Sequence, residues 1–265
     1  MANARFERII DYINRHGEAS AQALAEQFGV SPVTIRRDLM LLEQGGRITR
    51  THGGAIPSKP GVVEFAFQER GARNADEKRA IALAVAATFN RGCTVALDNG
   101  TTALEIAKAI TASEGLTVLT CSLAIAAVLQ AHDNVETVLL GGTVRRGSPD
   151  LTGWLTEETL QRFHVDYAIV GADGLTHEGA YASAVDLARI CEAMLKVATT
   201  TILVTDHSKV GQPSFVRYAT LKQFDRVVTD AAVPAAQRKW LNAGARQVDY
   251  VDVVRRTKGL GKDVS

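Results

Sequence analysis

The stretch SPVTIRRDLMLLEQ, residues 31–44, decides the fold of the first part of the chain. Its Ser-Pro start is typical of a helix beginning, because serine caps free backbone N–H groups and proline fits the first turn. The apolar residues at helical spacing, which predict the buried side, are Ile35, Leu39 and Leu42. The outward or flanking residues on the same helical wheel are Val33, Thr34, Arg36, Arg37 and Met40. The sequence therefore predicts a helix with one apolar side and one basic side.

Two more helices are predicted ahead of this one. The first carries apolar residues three and four positions apart over Phe6–Ile13. Ser20 can cap the second helix, and Gly29 ends it, since glycine tolerates a sharp turn. Arg47–Arg50 is a candidate strand of a short hairpin. We expect a winged helix-turn-helix domain over residues 1–57, although a purely structural helical hairpin is the alternative.

The chemistry of this segment favours binding to double-stranded DNA. Its four arginines over residues 31–52, set against Asp38 and Glu43, leave a local charge of +2. Arginine can bind a guanine edge or a phosphate. Ser31 and Thr34 lie at a helix N-terminus, which favours phosphate, and a valine can touch a thymine methyl group. The expected DNA-binding residues are Ser31, Val33, Thr34, Arg36, Arg37, Arg47 and Arg50.

The rest of the chain reads as a linker, an α/β domain and a tail. Residues 58–74 contain Pro60, Gly61 and Gly71 with little periodicity, and we expect a linker there. Short apolar strands then alternate with helices, which predicts a mainly parallel sheet over residues 75–254. The strand candidates are Thr94–Asp98, Leu116–Thr120, Val135–Leu140, Tyr167–Gly171, Thr201–Thr205, Arg226–Thr229 and Gln247–Val251. The helix candidates are Asp76–Phe89, Thr102–Ile110, Ala124–Gln130, Thr156–Phe163, Val185–Val197 and Pro234–Asn242. Residues 255–265 are expected to form a tail.

Composition and residue patterns limit the classes of protein to which this chain can belong. Hydrophobic residues make up 46%, charged residues 22%, and the formal net charge is +1, as in ordinary globular proteins. The three cysteines lie far apart and match no zinc pattern, so we expect reduced thiols, no metal and no cofactor. The sequence lacks an apolar run long enough to span a membrane and a signal-peptide pattern. These features predict a cytoplasmic protein.

Several motifs together resemble the DeoR family of sugar-operon transcriptional regulators. They are Ser31–Leu39, Arg50-Thr-His-Gly-Gly-Ala55, Asp98-Asn-Gly-Thr-Thr102, Gly141-Gly142, Gly171-Ala-Asp-Gly174, Asp206-His-Ser-Lys209 and Val228-Thr-Asp230. The resemblance covers almost the whole chain, in the family's order and spacing. It implies a small winged helix followed by an α/β domain similar to ribose-5-phosphate isomerase. It also implies ligand-controlled transcription, usually repression, with phosphorylated sugars as effectors.

The effector residues are expected where strands end, because ligands of parallel sheets collect at those ends. The candidates are Asp98, Gly100, Thr101, Thr102, Ser122, Gly142, Asp173, Asp206 and Lys209. Threonine hydroxyls beside a helix N-terminus suit a phosphate, and carboxylates suit sugar hydroxyls. Capped turns, or an ion pair between Asp206 and Lys209, are the structural alternatives. Cys121 stands where the family usually has asparagine, so this position offers little polar recognition.

Three functions remain open from the sequence. The first is a DNA-binding regulator, a homodimer or homotetramer that places two winged helices on adjacent half-sites under control of a sugar phosphate. The second is a sugar-phosphate isomerase-like enzyme with an accessory DNA-binding module, but no dedicated catalytic base is evident. The third is a DNA-binding scaffold whose second domain binds no ligand. We expect the first, and Asp38 to support helix packing or arginine orientation rather than touch bases.

Overall fold

The computed structural model describes the chain in separate stretches. These are residues 2–44, 47–51, 53–57, 62–111, 115–145 and 148–254. The expected tail, 255–265, and the first residues of the expected linker, 58–61, lie outside the described residues. Within these stretches, no helix is long and apolar enough to cross a membrane.

The N-terminal part is a three-helix unit with a small wing. Its helices are α1 (Ala2–His16), α2 (Ala21–Phe28) and α3 (Pro32–Gln44). Its strands are β1 (Ala19–Ser20), β2 (Ile48–Arg50) and β3 (Gly54–Pro57). They form an antiparallel sheet in the order β1-β3-β2. The winged helix-turn-helix prediction is confirmed, while β1 is too short to leave a sequence pattern.

Local side-chain chemistry fixes the turns of this unit. Ser20 Oγ accepts a bond from the Ala23 N–H at 3.0 Å and so caps α2. Ser31 Oγ accepts from the Thr34 N–H at 3.1 Å at the start of α3. Gly29 ends α2 with φ 66°, a conformation that glycine adopts without strain. These residues set the angle between α2 and α3.

The buried stripe of α3 packs as predicted. Ile35, Leu39 and Leu42 join α1 and α2 in one hydrophobic core, together with buried residues that include Phe6, Ile9, Ile13, Leu24 and Ala25. The ring of Phe6 also stacks on the ring of Phe215 from the second part, with centroids 4.8 Å apart. The two parts therefore share an aromatic contact.

The segment that we expected as a linker contains a helix, α4 (Val62–Ala72). Its support comes from outside the segment. Lys78 Nζ donates to the backbone carbonyls of Arg70 and Arg73, the latter at 2.6 Å. Helix ends leave such carbonyls without partners, so this lysine stabilises the last turn of α4. The domain boundaries at 57/58 and 74/75 stay predictions.

The second part alternates strands and helices. Its strands are β4 (Thr94–Leu97), β5 (Leu116–Thr120), β6 (Val135–Leu139), β7 (Thr143–Val144), β8 (Leu151–Thr152), β9 (Val165–Gly171), β10 (Gly174–Thr176), β11 (Gly179–Ala182), β12 (Ala198–Val204), β13 (Val216–Ala219), β14 (Arg226–Asp230) and β15 (Val248–Val251). Its helices are α5 (Ala75–Ala86), α6 (Thr101–Ile110), α7 (Leu123–Leu129), α8 (Trp154–Leu160), α9 (Val185–Lys196) and α10 (Ala235–Gly244).

The central sheet of the described residues has seven strands in the order β15-β14-β12-β9-β4-β5-β6. Every neighbouring pair in it is parallel. One hydrophobic core packs α5, α6 and α7 on one face, and another packs α8, α9 and α10 on the other. The predicted α/β class with a mainly parallel sheet is confirmed.

Two small antiparallel elements were not predicted. Strands β10, β11 and β13 form a three-stranded sheet, and β7 and β8 form a two-stranded ribbon. Their strands are two to four residues long. Runs this short carry too few alternations to stand out against turns. The ribbon and the small sheet both follow strands of the central sheet.

Candidate functional site

The outer face of α3 is exposed as the helical wheel predicts. Val33 is 71% exposed and Met40 41%, and Arg36 and Arg37 are also exposed, whereas Ile35 is fully buried. Thr34 is half-buried, and its hydroxyl lies 2.8 Å from Ser31 Oγ at the helix start. This face offers two guanidinium groups beside an apolar side chain. DNA contact by these residues stays a prediction.

Asp38 lies on the inner side of α3 and packs helices together. It is 5% exposed and accepts bonds from Arg5 Nε at 2.7 Å and Arg5 Nη2 at 3.1 Å. This two-pronged ion pair ties α3 to α1. The pair also removes the charge of Asp38 from the exposed face, so the basic character of that face exceeds the local balance read from the sequence.

The wing carries the other two expected DNA-binding arginines. Arg47 and Arg50 are both exposed. Arg50 Nη1 lies 3.8 Å from the Glu43 carboxylate, and the Arg50 N–H donates to the same carboxylate at 3.3 Å. Both side chains of this pair are partly exposed, so the contact is weak. A phosphate group can therefore compete with Glu43 for Arg50.

A cleft of about 710 Å³ opens at the carboxyl ends of β4, β9 and β12. Most of the expected effector residues line it: Asp98, Gly100, Thr101, Thr102, Asp173, Asp206 and Lys209. A shallower hollow of about 470 Å³ beside α9 has one lysine and one glutamate among its lining residues, and it lacks such a cluster. The larger cleft is the candidate ligand site.

Asp98 is the buried carboxylate of the cleft. It is 6% exposed, and its Oδ2 accepts a bond from the Gly171 N–H at 2.8 Å. Burial raises its pKa to about 6, although the hydrogen bonds from the Gly171 and Asn99 backbones lower it.

Next to Asp98, Gly100 precedes α6, and a Cβ there would meet nothing within 4 Å. The start of α6 therefore faces open space, with its first N–H groups available to an anion.

Asp206 forms the opposite wall and is held by two neighbours. Its Oδ1 accepts bonds from Asn74 Nδ2 at 2.7 Å and from Ser208 Oγ at 2.5 Å. Burial opposes ionisation, but the bonds from Ser208 and Asn74 outweigh it and hold the pKa of Asp206 below its usual range. No ion pair between Asp206 and Lys209 occurs in the described structure. The carboxylate thus connects the cleft to the α4–α5 junction.

The cleft also holds cations that sequence reasoning did not assign. Arg70 and Arg73 come from α4 or its end, Lys78 from α5, and Arg145 from the end of β7. Burial lowers the pKa of Lys78, and so do the charges of Lys209 and Arg70. Arg70 is likewise lowered in pKa by burial and by Arg145. Arg70 therefore lies close enough to repel both Lys78 and Arg145. Arg70, Arg73 and Lys78 follow no strand, so no strand-end pattern marked them.

Arg145 is held by an ion pair at the rim of the cleft. Its guanidinium donates to Asp150 Oδ2 from Nε at 3.1 Å and from Nη2 at 3.0 Å. Asp150 is fully buried. The pair fixes the β7–β8 ribbon at the rim of the cleft, because a bidentate geometry with a buried carboxylate is rigid.

Two expected effector residues do not reach the cleft. Ser122 is fully buried, and its Oγ accepts from the Ile125 N–H at 3.3 Å as the cap of α7. Gly142 has φ 157° and packs against Thr156 and the backbone of Thr152.

Cys121 is 1% exposed, and burial holds the pKa of its thiol well above the usual range. Position 121 is part of the core and not of the cleft wall.

The described residues contain no cluster of three or more histidine, cysteine, aspartate or glutamate side chains able to hold a metal ion.

Thr205 lines the cleft as well, and within the described structure its buried hydroxyl has no hydrogen-bond partner. A buried hydroxyl without a partner is costly in a protein interior. The cleft therefore has cations, carboxylates and one unsatisfied hydroxyl facing the same space.

Comparison with known proteins agrees with this architecture. Residues 5–60 match the DeoR-like helix-turn-helix domain, and residues 73–231 match the DeoR C-terminal sensor domain. A ribose-5-phosphate isomerase structure from Methanocaldococcus jannaschii overlaps 51% of this chain and 54% of that chain, with 16% identity and a TM-score of 0.38. That overlap is too partial to bear on function.

The relatives are named as regulators. The transcriptional regulator GlpR of Haloferax volcanii is 35% identical, over 93% of this chain and 97% of that protein. The glycerol-3-phosphate regulon repressor of Escherichia coli is 32% identical, over 88% and 92%. The repressor GlcR of Bacillus subtilis is 33% identical, over 85% and 87%. They confirm the prediction of a regulator over that of an enzyme. The chain belongs to the DeoR family of transcriptional regulators.

Proposed function

We propose that this chain binds operator DNA through α3 and the wing, and that a phosphorylated sugar or related phosphate ester in the cleft controls that binding. The protein acts by default as a repressor of a carbohydrate-metabolism operon, and the names of its repressor relatives support this role. The observation that carries it is the cleft itself, where mutually repelling cations face buried carboxylates beside the start of a helix.

The charge distribution favours a ligand with an anionic end and a hydroxylated end. A phosphate near Lys209, Lys78 and Arg70 would relieve the repulsion among these cations and accept bonds from the first N–H groups of α6. Asp98 and Asp173, which lie among the other lining residues, can accept bonds from sugar hydroxyls. One oxygen of Asp173 already accepts from the Ser183 N–H at 2.8 Å, which leaves the other for a ligand.

Ligand binding can reach the DNA-binding part through α4. Asp206 both lines the cleft and holds Asn74, and Lys78 holds the last carbonyls of α4. A ligand that draws Asp206 or Lys78 toward itself weakens those bonds and releases the end of α4. Control requires that the ligand binds the two arrangements with different affinity.

We further propose that the protein works as a homodimer or homotetramer in the cytoplasm. One winged helix reads few base pairs, and two copies on adjacent half-sites multiply the specificity. In this arrangement the basic face of α3 and the two wing arginines of each copy face one half-site.

A thermal-shift panel tests the proposed ligand class. The panel pairs triose, pentose and hexose phosphates and glycerol 3-phosphate with their unphosphorylated parents. At a concentration of about 100 Kd, a cognate phosphate should raise Tm by roughly 5–10 °C, because it binds only the folded state. The parent compound should not, and Lys209→Ala should lose the shift. An equal shift by the parent, or no shift by any phosphate, would contradict the proposal.

A further inference from the structure

An uncharged, exposed surface lies at the end of β6, on β7 and at the start of α8. Its members, which we call the Trp154 patch, are Leu139, Val144, Trp154 and Leu155. They are 43%, 58%, 70% and 46% exposed in that order. Together they present roughly 400 Å² of apolar surface, about the largest patch that a typical monomer leaves in water. Patches of this size are often functional.

The elements that carry the patch lie against one another. A Cβ at Gly141 would lie 3.8 Å from Leu155 Cδ2, which places Leu155 beside the chain that leaves β6. A Cβ at Gly153 would lie 3.9 Å from Thr143 Oγ1, which places the start of α8 beside β7. Thr156 Oγ1 also donates to the Gly141 carbonyl at 2.6 Å. The end of β6, strand β7 and the start of α8, which carry the four apolar residues, thus form one packed unit.

We propose that the Trp154 patch is the surface on which a second copy of this chain docks. The charges support a like partner. The patch has no charged member, and the two glutamates of α8 are each paired with an arginine from outside that helix, Glu157 with Arg189 and Glu158 with Arg162. An uncharged patch beside paired glutamates meets its own copy without repulsion, whereas nucleic acid or a strongly charged protein would find no complement on the patch itself.

The edge strand of the central sheet next to the patch also lacks the usual protective residues. β6 is the last strand of the central sheet in the described residues, and Leu139 of the patch is its final residue. Exposed edge strands are usually protected by lysine, proline or a covering element, but β6 contains neither lysine nor proline. Its one charged residue is Glu136, whose carboxylate accepts from Thr117 Oγ1 at 3.2 Å. A second copy on the patch would protect this edge.

The proposal deepens the proposed function by naming the surface that pairs the two DNA readers. The patch also adjoins the cleft, because Val144 directly precedes Arg145, which lines the cleft and binds Asp150. A ligand that moves Arg145 therefore moves a patch residue. The spacing between two copies becomes sensitive to the contents of the cleft.

Sedimentation velocity of the full chain over a wide concentration range tests the surface without operator or effector. Trp154→Asp should raise the dimer dissociation constant about 30-fold or more, as removal of a central aromatic contact does. The aspartate lies in the first turn of α8, where an acidic residue favours the helix, so the variant should fold. Circular dichroism confirms folding.

A matched pair of variants completes the test. Leu155→Gln in the patch should also weaken the dimer, whereas Leu83→Gln, at a residue on α5 that is 59% exposed, should leave it unchanged. The proposal is overturned if the wild-type chain is monomeric throughout, or if both patch variants remain dimeric at the wild-type dissociation constant. Neither outcome affects the thermal-shift result, so the surface and the ligand class can fail separately.

Discussion

Burial shifts the pKa values of single charged residues in the cleft toward their neutral forms. Asp98 has its pKa raised to about 6, while burial lowers the pKa of Lys78 and Arg70. Each of these groups would gain from an opposite charge or a hydrogen-bond partner in the cleft. Ionisable groups with shifted pKa values gathered in one cleft are typical of functional sites.

Asp98→Asn should make stability less dependent on pH. The folded pKa of Asp98 lies above its ordinary value of 3.8. Its contribution to stability is thus fully present below pH 3.8, falls as the pH rises, and is lost above about pH 6. The difference in free energy of unfolding, variant minus wild type, should therefore be about 1–2 kcal/mol larger at pH 7.5 than at pH 4.5, values chosen as about the two ends of this titration. Urea unfolding of both proteins at both pH values measures this difference. If the difference between variant and wild type is the same at both pH values, the raised pKa of Asp98 is contradicted.

Residue-level prediction succeeded where the cause was local. Ser20 and Ser31 cap helices because a serine three residues ahead of a free N–H is enough to make the bond. The same rule applies to Ser122, which the sequence offers both as a ligand contact and as a cap. A serine after a strand suits both a cap and a ligand, and only the packing above it decides. The structure buries Ser122 completely, so the cap is its role.

Helix α4 shows what the sequence could not convey at the scale of elements. Its periodicity is weak, and its last turn depends on Lys78, which lies in the next helix. Asn74 joins α4 to α5 with φ 51°, the left-handed conformation that asparagine tolerates better than most residues. Its side chain is held by Asp206, 132 positions away in sequence. Such long-range bonds leave no local pattern.

Asn74→Gly should uncouple α4 from the cleft without unfolding the protein. Glycine fits the left-handed backbone, so the gain there offsets the lost hydrogen bond, and stability should stay within about 1 kcal/mol of the wild type. The amides of α4 should exchange with solvent faster, and the ligand should no longer change that rate. Hydrogen exchange with and without the panel's best phosphate measures both.

A charge-based variant controls this prediction. Asn74→Asp places a second carboxylate beside Asp206, so the end of α4 should be released even without ligand. If α4 keeps wild-type protection and a wild-type ligand response in both variants, the bond between Asn74 and Asp206 carries no signal.

At the scale of the whole molecule, the order of strands and helices was predictable because each segment has its own period. The seven strands of the central sheet each overlap a predicted strand. The sequence could not give the strand order, nor the ribbon and small sheet that close the two sides of the cleft. These features depend on which segments meet in space, as the contact of Phe6 with Phe215 also does.

The central claim is that one molecule joins a DNA-reading face to a phosphate-sensing cleft. The direct test is fluorescence anisotropy of the full chain on a duplex selected from a random library, with and without the phosphate that raises Tm most. As a control for the reading face, Arg37→Ala should keep the thermal shift but bind DNA about tenfold or more weakly. For the wild type we predict that saturating ligand changes the Kd for DNA at least about fivefold. An unchanged Kd while the ligand demonstrably binds would contradict the account.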